Sequence, residues 1–189
     1  MSIEVLNTIF AGGTFIVIAV TAIAATIQLR HIRSGNQLLA LTTVLNGLRD
    51  RDFQEWLRFS VFDLPSKLED GAFRESLTHG PVDRVLHKEF QLGDYFEQVG
   101  AFVKNGLIDG STLIDAASGI IIRAYTAARP AIELLREREK SDALYENFEY
   151  LATRCQMWMD RHPQGAYPAG FPRFAEVTGP EFDGGLRAS

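Results

Sequence analysis

Cysteine is almost missing from this chain: Cys155 is the one thiol in 189 residues. A disulfide within the chain is therefore impossible, which fits a reducing compartment, and zinc sites built on several thiolates are excluded. No Glu-x-x-His pair occurs, and the two candidate histidines, His79 and His87, have no such partner. A ferritin-like di-metal centre thus lacks its ligand pattern. The Gly-Gly pairs, Gly12-Gly13 and Gly184-Gly185, do not join a strand to a helix as a phosphate loop requires. A basic stripe is lacking as well. The 19 Lys and Arg lie scattered among 24 acids, for a formal charge of -5, so nucleic-acid binding is not expected. No motif calls for a cofactor.

The longest absence is one of charge. Between Glu4 and Arg30 no charged side chain occurs, and the gap is filled by TIFAGGTFIVIAVTAIAATIQL. A helix rises about 1.5 Å per residue, so roughly 20 apolar residues cross the hydrocarbon of a bilayer. Residues 6–29 are predicted to form a transmembrane helix behind a short segment, 1–5. A cleavable signal normally opens with Lys or Arg and has a shorter apolar core. MSIEVLN offers an acid and no base, although Ala22-Ile23-Ala24 satisfies the small-x-small cleavage rule and keeps that alternative open. The reading adopted is a retained anchor. Glu4 precedes the span while Arg30, His31 and Arg33 follow it, which places the N-terminus outside and the C-terminal domain in the cytoplasm. Gly12, Ala19, Ala22 and Thr26 share one helical face, where two spans can approach; a simple anchor is the plainer alternative.

Residues 30–161 read as a cytoplasmic helical domain. Leu38, Leu41, Leu45 and Leu48 recur at steps of three and four, an apolar stripe continued by Phe53, Trp56, Leu57 and Phe59. It is expected to pack on the chain's own later helices, with a dimer seam as the alternative. Trp56, Arg58 and Phe59 either pack inward or meet lipid headgroups. Leu64-Pro65-Ser66 is expected to end that element. Pro81 suits the first turn of a new helix, with Val82, Val85, Leu86, Phe90, Phe96, Val99 and Val103 buried and Lys104-Asn105-Gly106 as its stop. Asp109 or Ser111 caps the next helix, whose apolar face runs through Leu113, Ile114, Ala117, Ile120, Ile121, Ala124 and Ala128. Pro130 is expected to kink or restart it. Glu133 to Lys140 reads as a solvated end, and Ser141-Asp142 as the cap of a last helix carrying Leu144, Phe148, Leu151, Cys155 and Trp158. Residues 162–189 are rich in Gly and Pro and read as an irregular tail, with Phe171, Phe174 and Phe182 as possible anchors. No useful β alternation appears. The fold class is all-α: one transmembrane helix continuing into a cytoplasmic helical bundle.

An anchor helix is followed by Phe53-Gln54-Glu55-Trp56, Tyr95-Phe96-Glu97-Gln98-Val99-Gly100, a Gly106-Leu107-Ile108 turn and Phe148-Glu149-Tyr150-Leu151-Ala152. This order resembles a family of small bacterial single-span proteins known as a domain of unknown function. The resemblance reaches to about Arg161 and implies a membrane-anchored helical domain, in a bacterium at the inner membrane. It carries over no activity and no catalytic residue.

The chemistry that remains is sparse. Glu97 and Glu149 are expected to cap a helix, pair with Arg123 or Arg154, or face water. Cys155 shares a stripe with Leu151 and Trp158 and reads as a small hydrophobe. Two function classes follow. A helical domain held at a membrane suits an interaction or scaffolding module, with the lipid bilayer, an unknown protein and a second copy of the chain as candidate partners. The alternative is a membrane-anchored enzyme or small-ligand receptor with a pocket lined by Tyr95, Glu97, Arg123, Tyr125 and Glu149, which requires those groups to converge on one concave space.

Overall fold

The computed structural model describes residues 3–174, and no strand occurs among them. Helix α1 (Ile3–Gly47) leads into α2 (Arg51–Arg58), a π-helical turn (Phe59–Asp63), α3 (Leu64–Lys67) and α4 (Gly71–Thr78). Three longer helices complete the bundle: α5 (Lys88–Lys104), α6 (Gly110–Glu139) and α7 (Glu146–Arg161). The chain is all-α, with a long apolar helix at its N-terminal end.

Helix α1 has 45 residues, about 68 Å at 1.5 Å per residue, and its two ends live in different surroundings. In the uncharged part Phe15 is 73% exposed, Val20 60% and Leu29 67%. The last third enters the core instead, through Leu41 and Val44, with Leu48 buried just past its end. The seam therefore differs from the expected leucine stripe: Leu38 is exposed, Leu45 is half-buried and Val44 takes the inward position. Gly47 ends the helix where the Tyr95 ring crosses it; a Cβ there would lie 2.6 Å from the Tyr95 hydroxyl. That hydroxyl donates to Val44 O at 2.8 Å. Asp50 then accepts from Asp52 N–H and starts α2, which turns Phe53 and Leu57 into the core. Phe59 is buried and Trp56 half-buried, while Arg58 pairs with Asp63 at the surface.

Two proline expectations are corrected. Pro65 does not end its element, because the preceding turn is π-helical and Leu64 N–H bonds back to Phe59 O; Pro65 then sits in the first turn of α3, where a missing N–H costs little. Pro81 does not open a helix. The Asp83 carboxylate accepts from Val85 N–H, a local turn that competes with helix formation, and α5 begins only at Lys88. Val85 and Leu86 are consequently exposed, and His87 and Glu89 are buried in their place.

Between α5 and α6 the expected stop forms. Gly106 adopts φ +67°, Leu107 N–H bonds Phe102 O and Gly106 N–H bonds Val103 O, which together close a Schellman motif. Asp109 caps α6 through Ser111 and Thr112, whose hydrogen bonds hold its carboxyl below the usual range. Helix α6 runs unbroken through Pro130. Its far end is not merely solvated: Arg136 pairs with Glu149 at 2.8 Å, and Arg138 donates to Leu77 O and Gly80 O, tying down the end of α4.

Ser141-Asp142 does not cap α7. That helix starts four residues later, after Tyr145 at φ 58°. The Tyr145 hydroxyl donates to Asp94 and accepts from Arg84, and Arg84 and Asp94 also pair at 3.1 Å. This triangle holds a left-handed conformation that a bulky residue rarely adopts. The aromatic centre stacks Phe96 on Phe148 at 4.9 Å, with Phe53 and Tyr125 meeting them edge-on. Beyond Arg161 the described residues are irregular; Phe171 and Phe174 are exposed, and Phe182 lies outside the described residues.

Candidate functional site

The five residues singled out from the sequence occupy four places. Tyr95, on α5, is committed to α1 as described, and burial pushes its phenol up to about 12. Glu97, two residues on, reaches the free N-terminus of α7. Its carboxylate accepts from Asn147 N–H at 3.3 Å, Asn147 Nδ2 at 2.7 Å and Phe148 N–H at 2.9 Å. These are donors that a helix leaves unpaired, and α7 has no side-chain cap of its own. Arg123 lies over the Phe62 ring, 5.6 Å from its centroid, beside a hollow of about 330 Å³ shared with Gln54, Leu57 and Val61. Only Tyr125 and Glu149 line a common cleft, about 540 Å³, together with Arg129, Glu133, Arg136 and Lys140. Burial first, and then the Glu149 charge, raises the Tyr125 phenol above its ordinary value. The five side chains do not meet in one concave space.

A different cluster is brought together at the start of α5. His87 and Glu89 are both fully buried, and His87 Nδ1 lies 2.8 Å from Glu89 Oε1. On its other side His87 Nε2 lies 2.8 Å from Ser76 Oγ on α4. The imidazole is held between Phe73 and Phe90, with centroids 4.5 and 6.0 Å away. Glu89 Oε2 is buried with no hydrogen-bond partner. Burial holds the Glu89 carboxyl above the usual range, against the opposing effect of its hydrogen bond with His87.

In outline this is the order of groups in a nucleophilic relay: hydroxyl, imidazole, carboxylate. Its polarity is the reverse of what nucleophile activation needs. The single Ser76 hydroxyl hydrogen goes to Phe73 O, 2.6 Å away, so His87 Nε2 donates to Ser76 and does not take its proton. The base is fully covered, leaving no approach for a substrate. What the arrangement does is join α4 to α5 through a polar contact inside an apolar layer. The sequence signal was the His-x-Glu pair at the start of a helix, obscured because Val85 and Leu86 looked like the better core residues.

Cys155 is fully buried on α7, and burial pushes its thiol up to about 12, as suits a small core hydrophobe. Among the described residues no group of three or more His, Cys, Asp or Glu side chains is placed to hold a metal ion. Among the described residues one helix is long and apolar enough to cross a membrane: its apolar stretch has a mean hydropathy of 1.9, and none of it is buried by the rest of the chain.

The family model described as a domain of unknown function, DUF4760, matches residues 15–155. The chain belongs to the DUF4760 family. The match begins inside the apolar part of α1 and ends at Cys155 on α7, so the DUF4760 region includes the helix and the bundle but not the tail. Comparison with curated proteins and with solved structures finds no match.

Proposed function

We propose that this DUF4760 chain is a single-pass membrane protein whose cytoplasmic bundle works as a tethered interaction module. One observation carries the reading: α1 is a single helix whose apolar part stands clear of the bundle while its last third is built into the core. An apolar surface of that length is stable in water only if something covers it, and lipid does so with no partner protein. Thr21 and Thr26 return their hydroxyls to Val17 O and Ala22 O, which satisfies their polar groups within the helix. The basic cluster at Arg30, His31 and Arg33 directly behind the span supports a cytoplasmic bundle. A rigid helical join fixes the height of the bundle above the membrane, which raises its effective concentration towards other proteins on the same surface.

The partner class is a second membrane-associated protein, and the inner membrane of a bacterium is the setting that the family resemblance suggests. Solubilisation of the full chain in mild detergent, followed by affinity capture and mass spectrometry, tests this. A stoichiometric partner absent from a control capture supports the module. A chain recovered alone and monomeric argues against it.

A further inference from the structure

The end of the bundle that faces the bulk of α1 is defined by three contacts. Gln37 Nε2 donates to Gly106 O at 2.9 Å, and the Arg33 guanidinium reaches the same glycine, 3.8 Å from where its Cβ would be. Tyr95 bonds Val44 O eleven residues earlier on α5, so α1 and α5 run antiparallel. The α5–α6 turn therefore lies on the side of the apolar span. The C-terminal end of α7 lies there too: Arg154 approaches Gly110 at the start of α6, and Met157 and Arg161 line a hollow with Ser111 and Ile114.

Height along α1 places this end. Leu29 closes the uncharged run, and residues 33–37 sit about 6–12 Å further along the helix axis at 1.5 Å per residue. The polar headgroup layer on each side of a bilayer is of the order of 5–8 Å thick. The turn at Gly106 thus meets the outer edge of the headgroups if the span is in lipid. The side chains there have the matching character. Leu107 is 56% exposed and Met157 57%, apolar groups aimed outward beside exposed Arg33, Lys104 and Arg161. Asp109 and Asp160 also lie at this end, and the opposite end of α6 interleaves Glu133, Glu137, Glu139 and Asp142 with Arg136, Arg138 and Lys140, so position along α1, and not net charge, sets which end faces the lipid.

We propose that the α5–α6 turn and the C-terminal end of α7 form a second membrane contact, which docks the bundle onto anionic lipid headgroups. Leu107 and Met157 enter the interfacial layer, Arg33 and Arg161 meet lipid phosphates, and Lys104 joins them by exchanging its half-exposed partner Glu146. The proposal rests on the anchored reading of α1 and deepens it: the bundle lies against the bilayer in a fixed orientation and does not swing on its helix. Each basic side chain near an anionic surface contributes about fivefold to surface affinity, so a few of them suffice once the span has removed the cost of encounter.

The test uses the full chain reconstituted in vesicles of phosphatidylcholine, alone or mixed with phosphatidylglycerol, with a nickel-chelating lipid as the relaxing probe. Native Cys155 is buried and does not interfere, so nitroxides can be placed singly through Leu107→Cys, Met157→Cys, Glu137→Cys and Val20→Cys. The expected result is relaxation at 107 and 157 severalfold above that at 137 in the mixed vesicles, reduced when phosphatidylglycerol is omitted or when Lys104 and Arg161 are both changed to Glu. Relaxation at 107 and 157 that is equal to that at 137, or that responds neither to phosphatidylglycerol nor to the charge reversal, with the label at 20 buried in lipid, overturns the docking contact and leaves the anchor standing. A label at 20 exposed to water overturns the anchor and the docking together. Dipolar broadening between labels at 107 assigns the surface to a second copy and also overturns the proposal.

Discussion

Replacing Glu97 by Ala removes the one side chain that caps α7 from outside. Three hydrogen bonds to a carboxylate are lost, two of them from backbone N–H groups at a helix N-terminus. A hydrogen bond to a charged group is worth about 1.5–3 kcal/mol, and loss of a helix cap about 1. The three share one carboxylate and do not add fully, since water re-solvates the half-buried Asn147 side chain. Phe148 is buried, so its N–H is left poorly served. The expected loss is about 3 kcal/mol, a large part of the 5–15 kcal/mol that holds a typical domain. Glu97→Gln keeps one accepting oxygen and loses the charge, for a loss of about 1 kcal/mol. The assay is urea unfolding of the full chain in mild detergent, with amide hydrogen exchange read at the first turn of α7. Faster exchange confined to residues 146–149, in the order Ala over Gln over wild type, is expected. Exchange unchanged at that turn, with less than about 0.5 kcal/mol lost, would refute the capping role.

Three further outcomes follow from the packing. Gly100→Ala places a Cβ 2.1 Å from Asn147 O, and because that atom is backbone the α5–α7 contact must open; a loss of about 3 kcal/mol or more is expected in the same unfolding assay. Glu89 binds its proton more tightly in the folded chain than at its ordinary value of 4.5, so its contribution is full below that value and is lost as pH rises through the raised one. Glu89→Gln is neutral throughout and should flatten that part of the pH dependence of the melting temperature; an unchanged slope would show that another group sets it. The Cys155 thiol should resist maleimide in the native chain and react fully in denaturant, and fast native labelling would contradict its burial.

The sequence made the helices legible where burial follows one periodicity. The faces of α6 and α7, the Gly106 stop and the Asp109 cap all came from local signals that tertiary contacts did not oppose. It misled where a local rule met a competitor. Pro65 and Pro81 both read as helix boundaries, yet a π turn absorbed the first and the Asp83 turn displaced the second. The cap of α7 was invisible because Glu97 lies fifty residues away, and no local pattern announces a cap supplied by another helix. The Ser76–His87–Glu89 contact was hidden for the same reason: hydropathy ranks Val85 and Leu86 above His87 and Glu89, and only the fold shows which pair is turned inward. Of the five residues proposed as a pocket, Tyr125 and Glu149 share a cleft because their helices are antiparallel neighbours, a pairing that spacing along the chain does not reveal.

Alkaline carbonate extraction of membranes from cells expressing the full chain tests the membrane anchor most directly. Retention in the pellet is the expected result, lost when Ile18 and Ile23 are both replaced by Lys. Release of the unaltered chain into the carbonate supernatant, with its bundle folded, would contradict the account.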